Sequence, residues 1–476
     1  VKQRAPILTG TKRGSGGRMN AGDTAWVLAS AALVMLMTPG LAFFYGGMVR
    51  SKSVLNMLML NFIALAVVSV LWALYGYSMS FGNDAFAGLV GNFDFAGLKN
   101  TIGHLVGAAS ADGKTPWPGP DAIPALSFVM FQLMFAVITP ALISGAIADR
   151  AKFWSWTLFM AIWVTVVYFP VAHWVFNFNG FTGADNKGGW IANTLGAEDF
   201  AGGTAVHINA GAAGLALAIV LGRRVGWRKD PMRPHNVPFV LLGASLLWFG
   251  WYGFNAGSAL SAGDLASVAF TNTTVATAAA VLGWLIIEQI RDGKPTTVGA
   301  ASGAVAGLVA VTPACGFVTP LGALAIGVIA GALCALAVGL KYKLGFDDSL
   351  DVVGVHLVGG LVGTLLIGFF GAGSVNPGIA KDGFLYGGGF SLLGKQAIAA
   401  FAVMGYSFIG ALVIGFLIKV TIGFRASTEV EVAGIDEAEH AESAYEFGGF
   451  TGGSVRGTGK AVDGAGQSAV LEGSKA

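Results

Sequence analysis

Eleven apolar runs of about 20 residues recur along this chain, centred near Val34, Val67, Phe135, Val164, Gly211, Leu247, Ala280, Gly303, Ile329, Gly363 and Val413. That length matches the roughly 30 Å hydrocarbon layer of a bilayer, so each run reads as a transmembrane helix. A water-soluble fold is excluded by the charge content, 11% here against about 25% in an ordinary soluble domain. Lipid gives helices no hydrophobic reason to associate, so their packing relies on close backbone approach, which 72 glycines in 476 residues permit. The two cysteines, Cys315 and Cys334, have no metal-ligand or redox spacing and read as small buried hydrophobes.

An odd number of crossings puts the termini on opposite faces. Arg50/Lys52, Arg150/Lys152, the cluster Arg223 to Arg233, Arg291/Lys294, Lys341/Lys343 and Lys419/Arg425 all fall in linkers on one side. Only Lys99, Lys114, Lys187, Lys381 and Lys395 fall on the other, so the positive-inside rule predicts a cytoplasmic C-terminus and an external N-terminus. Val1 to Arg18 is basic, with no apolar core or cleavage site. Its charge conflicts with an external N-terminus, and Met19 reads as a native start. Residues 1–22 are therefore expected to be an extension without fixed structure.

Two segments repeat a pattern. In DFAGGTAVHINAGAAG and DSLDVVGVHLVGGLVG an aspartate precedes a histidine by eight residues, Asp199 to His207 and Asp348 to His356. Glycines follow each histidine at plus four and plus seven: Gly211 and Gly214, Gly360 and Gly363. These are the fifth and tenth runs, so the two copies cross the membrane in opposite directions, as in transporters whose path lies at the interface of an inverted repeat. The expected fold class is all-α: eleven transmembrane helices, with spans 1–5 and 6–10 as an inverted five-helix repeat around a central pore. Antiparallel placement brings both imidazoles to mid-bilayer depth, where ionisable residues are rare and usually functional. The aspartates sit near helix N-termini, where a carboxylate can cap free N–H groups.

No acidic ring or filter of carbonyls is visible, so a conventional ion filter is not expected. Trp251, Phe254 and Ser258 follow i, i+3, i+7 spacing and share one helix face, which suits a small cation by cation–π attraction and a hydroxyl contact. Carrying a bare ion into a low-dielectric core has an idealised cost of order 20 kcal/mol. Deprotonating an ammonium group like that of lysine at pH 7 costs only about 4 to 5 kcal/mol. Aromatic faces outside and imidazoles inside therefore suit a cation that can become neutral, and potassium has no such route.

At this point the chain resembles the ammonium transporter (Amt/Mep/Rh) family, bacterial Amt-type, from about Asp23 to Tyr445. The resemblance rests on TPGLAFFYGGMVR, FQLMFA, ISGAIADR, DFAGGTAVHINAGAAG, WFGWYGFNAGSAL, FTNTTVATAAA, DVVGVH and IDEAEHAESAY, in that order. It implies a homotrimer with one pore per subunit, conducting ammonium, ammonia and methylammonium, in the inner (plasma) membrane. It casts His207 and His356 as the pore histidines and Phe135 with Phe254 as the gate. The external ammonium site comprises Trp251, Ser258, Phe131, Phe135 and Phe176, and Asp199 and Asp348 are supporting carboxylates. It also implies a cytoplasmic tail that meets a PII-type signalling protein. Phe176 stands where the family commonly has tryptophan, which predicts looser ammonium binding. Trp174, about 200° away round the helix, cannot take over that face. Ala441 replaces a usual glycine in the tail.

The domain reading is an extension over 1–22, an ammonium transporter domain over 23–424, a regulatory tail over 425–446, and a Gly-rich stretch over 447–476 expected to be disordered. Cofactor, metal, enzymatic activity and nucleic-acid partner are all expected to be absent, and membrane lipids are expected neighbours. Three alternatives stay open: an ammonium sensor of the same fold, an Rh-like neutral gas channel, and a haem protein with histidine ligands. The cluster Arg223 to Arg233 has two readings, topology setting and contact with anionic lipid or an acidic partner.

Overall fold

Helices occupy all eleven predicted positions in the computed structural model, which describes residues 19–107, 122–183 and 185–445. They are α1 (Ala21–Met48), α2 (Val54–Phe81), α3 (Ala125–Ile147), α4 (Phe153–Phe176), α5 (Gly203–Leu221), α6 (Val237–Ala259), α7 (Asp264–Asp292), α8 (Thr297–Val311), α9 (Pro320–Leu344), α10 (Val353–Phe370) and α11 (Ser391–Thr421). Two short helices follow, α12 (Thr428–Ala433) and α13 (Ile435–His440). The expectations placed on residues 1–18, Lys114 and 447–476 lie outside the described residues. A two-residue ribbon, Leu105–Val106 against Ile123–Pro124, is the one paired sheet among the described residues.

Ten of the eleven helices are long and apolar enough to cross a membrane. The exception is α8, whose 15 residues rise about 22 Å. Pro313 explains its early end, because proline has no N–H to continue the helical hydrogen-bond ladder. The irregular backbone beyond it is buried in protein and keeps its hydrogen bonds, as a membrane interior requires. Asn272 of α7 donates to the carbonyls of Cys315 and Val318 at 2.8 and 2.7 Å, and Phe200 N–H donates to Pro313 O at 3.0 Å.

Close backbone contact holds the bundle together. Gly327 and Gly331 of α9 lie on Ala276 and Ala280 of α7, where an added Cβ would meet each alanine carbonyl oxygen at 2.2 Å. Gly243 of α6 meets the backbone of Phe44 in α1 at a similar 2.2 Å. Asparagines cap equivalent starts: Asn20 accepts from Asp23 N–H at 3.0 Å before α1, and Asn236 from Phe239 N–H at 3.0 Å before α6.

Helix pairing follows the repeat. α1 packs along α6, α2 lies against α3 and α4 as α7 does against α8 and α9, and α5 crosses α10. At that last crossing Gly211 abuts Leu357 while Gly360 abuts Ile208. Each contact joins the plus-four glycine of one histidine to the plus-one residue of the other. Reciprocity of this kind is what a two-fold axis between antiparallel copies produces.

Candidate functional site

Both histidine helices open in the same unusual way. Each begins with a π turn, Gly203–Ile208 and Val353–Leu357, and each turn contains the histidine. π turns are rare, and they concentrate at functional sites. An aspartate caps each one. Asp199 accepts from the N–H groups of Gly202, Gly203 and Thr204 at 2.7, 2.7 and 2.8 Å, and from the Thr204 hydroxyl. Asp348 accepts from Val352 and Val353 N–H at 3.1 and 2.7 Å. Burial pushes both carboxyls above the usual range, Asp348 to about 6. Capping occupies the oxygens of both side chains.

The imidazoles meet where the two helices cross. His207 Nδ1 and His356 Nδ1 are 3.3 Å apart, with ring centroids 5.4 Å apart and planes 21° apart. A hydrogen bond between two Nδ1 atoms requires one to carry the proton and the other to be bare, so at least one ring is neutral. With both rings neutral, the bare one carries its hydrogen on Nε2 and its partner's Nε2 is an acceptor. Both side chains are 1–2% exposed, and His207 Nε2 is buried with no hydrogen-bond partner. The cavity beside them is walled by Phe254, Trp251, Leu247, Ile138 and other apolar side chains, and the two imidazoles are its only ionisable lining.

An aromatic stack closes one end. Phe135 and Phe254 have ring centroids 4.2 Å apart, and both are at most 1% exposed. Phe131 contacts Phe135 edge-on at 5.0 Å, and Phe176 does so at 6.2 Å. Ser258 is near Phe131, since a Cβ on its neighbour Gly257 would meet that ring at 3.0 Å. The Ser258 hydroxyl donates to Phe254 O at 2.8 Å, leaving its lone pairs as acceptors.

Trp251 stands elsewhere. Its ring stacks on His207 at 5.4 Å with planes 18° apart, and its Nε1–H donates to Thr312 Oγ1 at 2.8 Å. Seven residues along a helix separate it from Ser258 by roughly 10 Å. The structure therefore groups Phe131, Phe135, Phe176 and Ser258 outside the Phe254 ring and places Trp251 with the histidines inside it. Trp174 points away from both groups, donating from Nε1 to Leu89 O at 2.8 Å and packing on Trp190 and Tyr406.

Sequence reasoning missed two features. Thr312, which fixes the Trp251 indole, was visible only as a lone hydroxyl beside Pro313. The other is a buried ionic cluster at the end of the bundle that holds the tail. Arg224 pairs with Asp347 through Nε and Nη2, both at 2.9 Å, and with Asp149 at 3.2 Å. Arg150 is wholly buried and donates to Ala146 O, Asp347 O and Ser349 Oγ at 3.0, 2.6 and 2.5 Å. The tail joins the cluster through Glu431, which accepts from Arg425 and from Val225 N–H, both at 2.6 Å. Asp436 then caps α2, accepting from Leu55 and Asn56 N–H at 3.0 and 2.8 Å.

A bundle of apolar helices of membrane-crossing length, packed around two touching imidazoles behind an aromatic stack, defines a multi-pass membrane protein. The Ammonium Transporter Family profile matches residues 25–445. The chain is 63% identical over 439 residues to the "Ammonium transporter" of Mycobacterium tuberculosis (strain ATCC 25618 / H37Rv), covering 90% of this chain and 91% of that one. Among solved structures, Saccharomyces cerevisiae Mep2 superposes with a TM-score of 0.76 at 34% identity, covering 86% of this chain and 88% of that one. A "Sensor Amt Protein" superposes with a TM-score of 0.78 at 29% identity, covering 88% and 98%. The chain belongs to the ammonium transporter family, whose members are multi-pass membrane transporters and not enzymes.

Proposed function

We propose that this protein takes up ammonium across the inner (plasma) membrane by shedding the ion's proton at the aromatic stack and conducting neutral ammonia past His207 and His356. The observation that carries this reading is the apolar cavity whose only ionisable lining is the imidazole pair. No fixed charge faces the cavity, so a permanent cation entering it loses its hydration without compensation. Ammonium escapes that cost by crossing as ammonia and a proton that travels apart from it and rejoins it on the far side, so that each cycle moves one charge. Phe131, Phe135, Phe176 and Ser258 form the capture site, with ring faces for the cation and hydroxyl lone pairs for an N–H. Phe135 and Phe254 then exclude hydrated ions. Inside, the Nε2 atoms offer one acceptor and one donor, so ammonia keeps a hydrogen-bond partner at each step. Trp251, held by Thr312, walls the path beside His207, and Asp199 and Asp348 fix the depth of the histidine turns.

The distribution of arginine and lysine supports an external N-terminus and a cytoplasmic C-terminus. Family membership supports a homotrimer, methylammonium as a second substrate, and a PII-type partner for the tail over 425–446. Current evoked by ammonium in proteoliposomes, measured on the parent and on His207→Ala and His356→Ala, tests the mechanism. The parent is expected to pass current that excludes potassium. Each variant is expected to lose the current or that selectivity. Unchanged current and selectivity in both variants would overturn the histidine path. Likeness to the sensor protein favours a second reading, in which ammonium binds saturably while flux stays at background. Flux without current in the same assay identifies a neutral gas channel.

A further inference from the structure

The loop between α5 and α6 carries positive charge that neither the pore nor the tail uses. Arg224 is committed to Asp347 and Asp149, but Arg223, Arg228, Lys229 and Arg233 are exposed, and none forms an ion pair among the described residues. Asp230, the loop's one carboxylate, is turned onto Gly226, where an added Cβ would meet its Oδ2 at 1.9 Å. Setting topology requires only that such charges be present. The structure does more with two of them. The guanidinium carbons of Arg223 and Arg228 lie 4.8 and 5.5 Å from the centroid of one ring, that of Trp227. Trp227 in turn stacks on Tyr342 at the end of α9, with centroids 6.0 Å apart and planes 17° apart. Arg223 Nε donates to Gly345 O at 2.9 Å and ties the loop to that helix end. Arg228 takes a left-handed backbone, φ 65°, which is uncommon for a residue with a side chain.

Over the ring Arg228 keeps its N–H edge, and Arg223, whose Nε is taken by Gly345 O, keeps its two Nη groups; such an edge matches two oxygens of a phosphate. Trp227 supports the two forks from beneath as a buried platform, the residue being 9% exposed. Lys343 is exposed on the adjoining helix end. Beside these donors the surface becomes apolar and remains uncovered: Leu340, Leu344 and Val225 are 41%, 72% and 39% exposed, and Tyr342 is 49% exposed. Cations, an interfacial aromatic and bare aliphatic side chains at the end of a membrane helix complement a molecule that has an anionic head and a hydrocarbon body. We infer that Arg223, Arg228 and Lys343, organised around the Trp227–Tyr342 stack, bind the phosphate of an anionic membrane lipid whose chains lie along Leu340 and Leu344.

Native mass spectrometry of the purified full chain, titrated with phosphatidylglycerol, phosphatidylcholine or inorganic phosphate, tests the site. The parent is expected to hold one phosphatidylglycerol per chain more tightly than phosphatidylcholine. Arg223→Lys/Arg228→Lys keeps the charge, and with it the topology, but removes the stacked forks. It is expected to weaken that tightest binding roughly tenfold. Tyr342→Leu, which keeps every charge and the apolar surface, is expected to weaken it several-fold. Full affinity in the lysine pair would reduce the site to diffuse attraction and overturn the inference. So would displacement of the lipid by inorganic phosphate, which would make the ligand a soluble anion. Unchanged thermal midpoints in lipid-free detergent show that the variants are folded.

Discussion

Two sets of ionisable side chains are buried in this protein, and they are treated in opposite ways. At the end of the bundle that holds the tail, Arg224, Asp347, Asp149 and Arg150 are hydrogen-bonded to one another and to nearby backbone. At the crossing of α5 and α10 two imidazoles hydrogen-bond to each other through Nδ1, and His207 Nε2 is left without a hydrogen-bond partner. A buried charge is tolerated when paired, and a buried polar atom is costly when left alone. The chain therefore keeps charge where structure needs a lock. The orphans of the ionic cluster, Arg150 Nε and Asp149 Oδ1, belong to groups held by other hydrogen bonds or ion pairs, whereas the orphaned His207 Nε2 belongs to a side chain that can be neutral and that lines the apolar cavity.

Breaking the lock gives the largest expected change in stability. Arg224→Met strands the carboxylates of Asp347 and Asp149 and is expected to cost about 3 to 5 kcal/mol. Chemical denaturation in detergent measures it, and a loss below about 1 kcal/mol would show that the cluster does not depend on the pairing. The same cluster sets an acid limit. Burial raises the Asp347 carboxyl, but hydrogen bonds and attraction from Arg224, with the charge of Arg150, outweigh it and hold the group below its usual range. A carboxyl depressed in the folded state stabilises above its unfolded pKa of about 3.9, and that contribution is lost as pH falls through the folded value. The Asp347 contribution is expected to be flat from pH 8 to 5 and to fall away below about 4 in the parent, with the acid step reduced in Asp347→Asn.

The tail is attached more lightly. Asp436→Asn weakens the carboxylate cap on α2 and is expected to cost about 0.5 to 2 kcal/mol. Hydrogen exchange should then rise across 428–440 while α5 and α10 stay protected. Equal protection of the tail in variant and parent would show that other contacts, such as Glu439 to Phe153 N–H at 2.9 Å, hold it alone.

Much of this contrast was legible in the sequence on one side and hidden on the other. Helix positions follow from apolar runs of bilayer length, and the meeting of the histidines follows from a repeat read in opposite directions. Spacing gives a helix face but not depth, so Trp251 and Ser258, two turns apart, looked like one site. The apolar run around Gly303 continues in hydropathy past Pro313, which hid the early end of α8. Arg150 and Arg224 counted as topology charges because nothing local announces that their partner is Asp347, more than a hundred residues on. Long-range pairing of single charges leaves no period in a sequence.

The outer site offers a finer test on the histidine side of the comparison. Phe176 contacts Phe135 edge-on at the mouth of the stack, and a phenyl ring is a weaker cation–π partner than an indole. Phe176→Trp is expected to strengthen ammonium capture by about 0.5 to 1 kcal/mol, a roughly two- to fivefold lower half-saturation for transport, with potassium exclusion unchanged. An unchanged half-saturation would remove Phe176 from the capture site and leave it as packing.

The smallest expected effect concerns Ala441, which ends α13 with φ 55° and ψ 33°. A left-handed backbone brings Cβ towards the following carbonyl oxygen and costs roughly 1 to 2 kcal/mol in any residue but glycine. The tail keeps this turn because its neighbours fix the path: His440 Nε2 meets Asn56 Oδ1 at 3.0 Å, its ring packs on Phe153 at 5.3 Å, and Asp436 is bound to α2. Ala441→Gly relieves the crowding but gives the unfolded tail more freedom, so the expected gain is only about 0.5 to 1 kcal/mol. Slower hydrogen exchange or proteolysis over 428–440, at unchanged global stability, is the expected readout. Since the relief is confined to the tail, ammonium current should not move; a current that rises or falls with this substitution would show that tail docking is coupled to the histidine path.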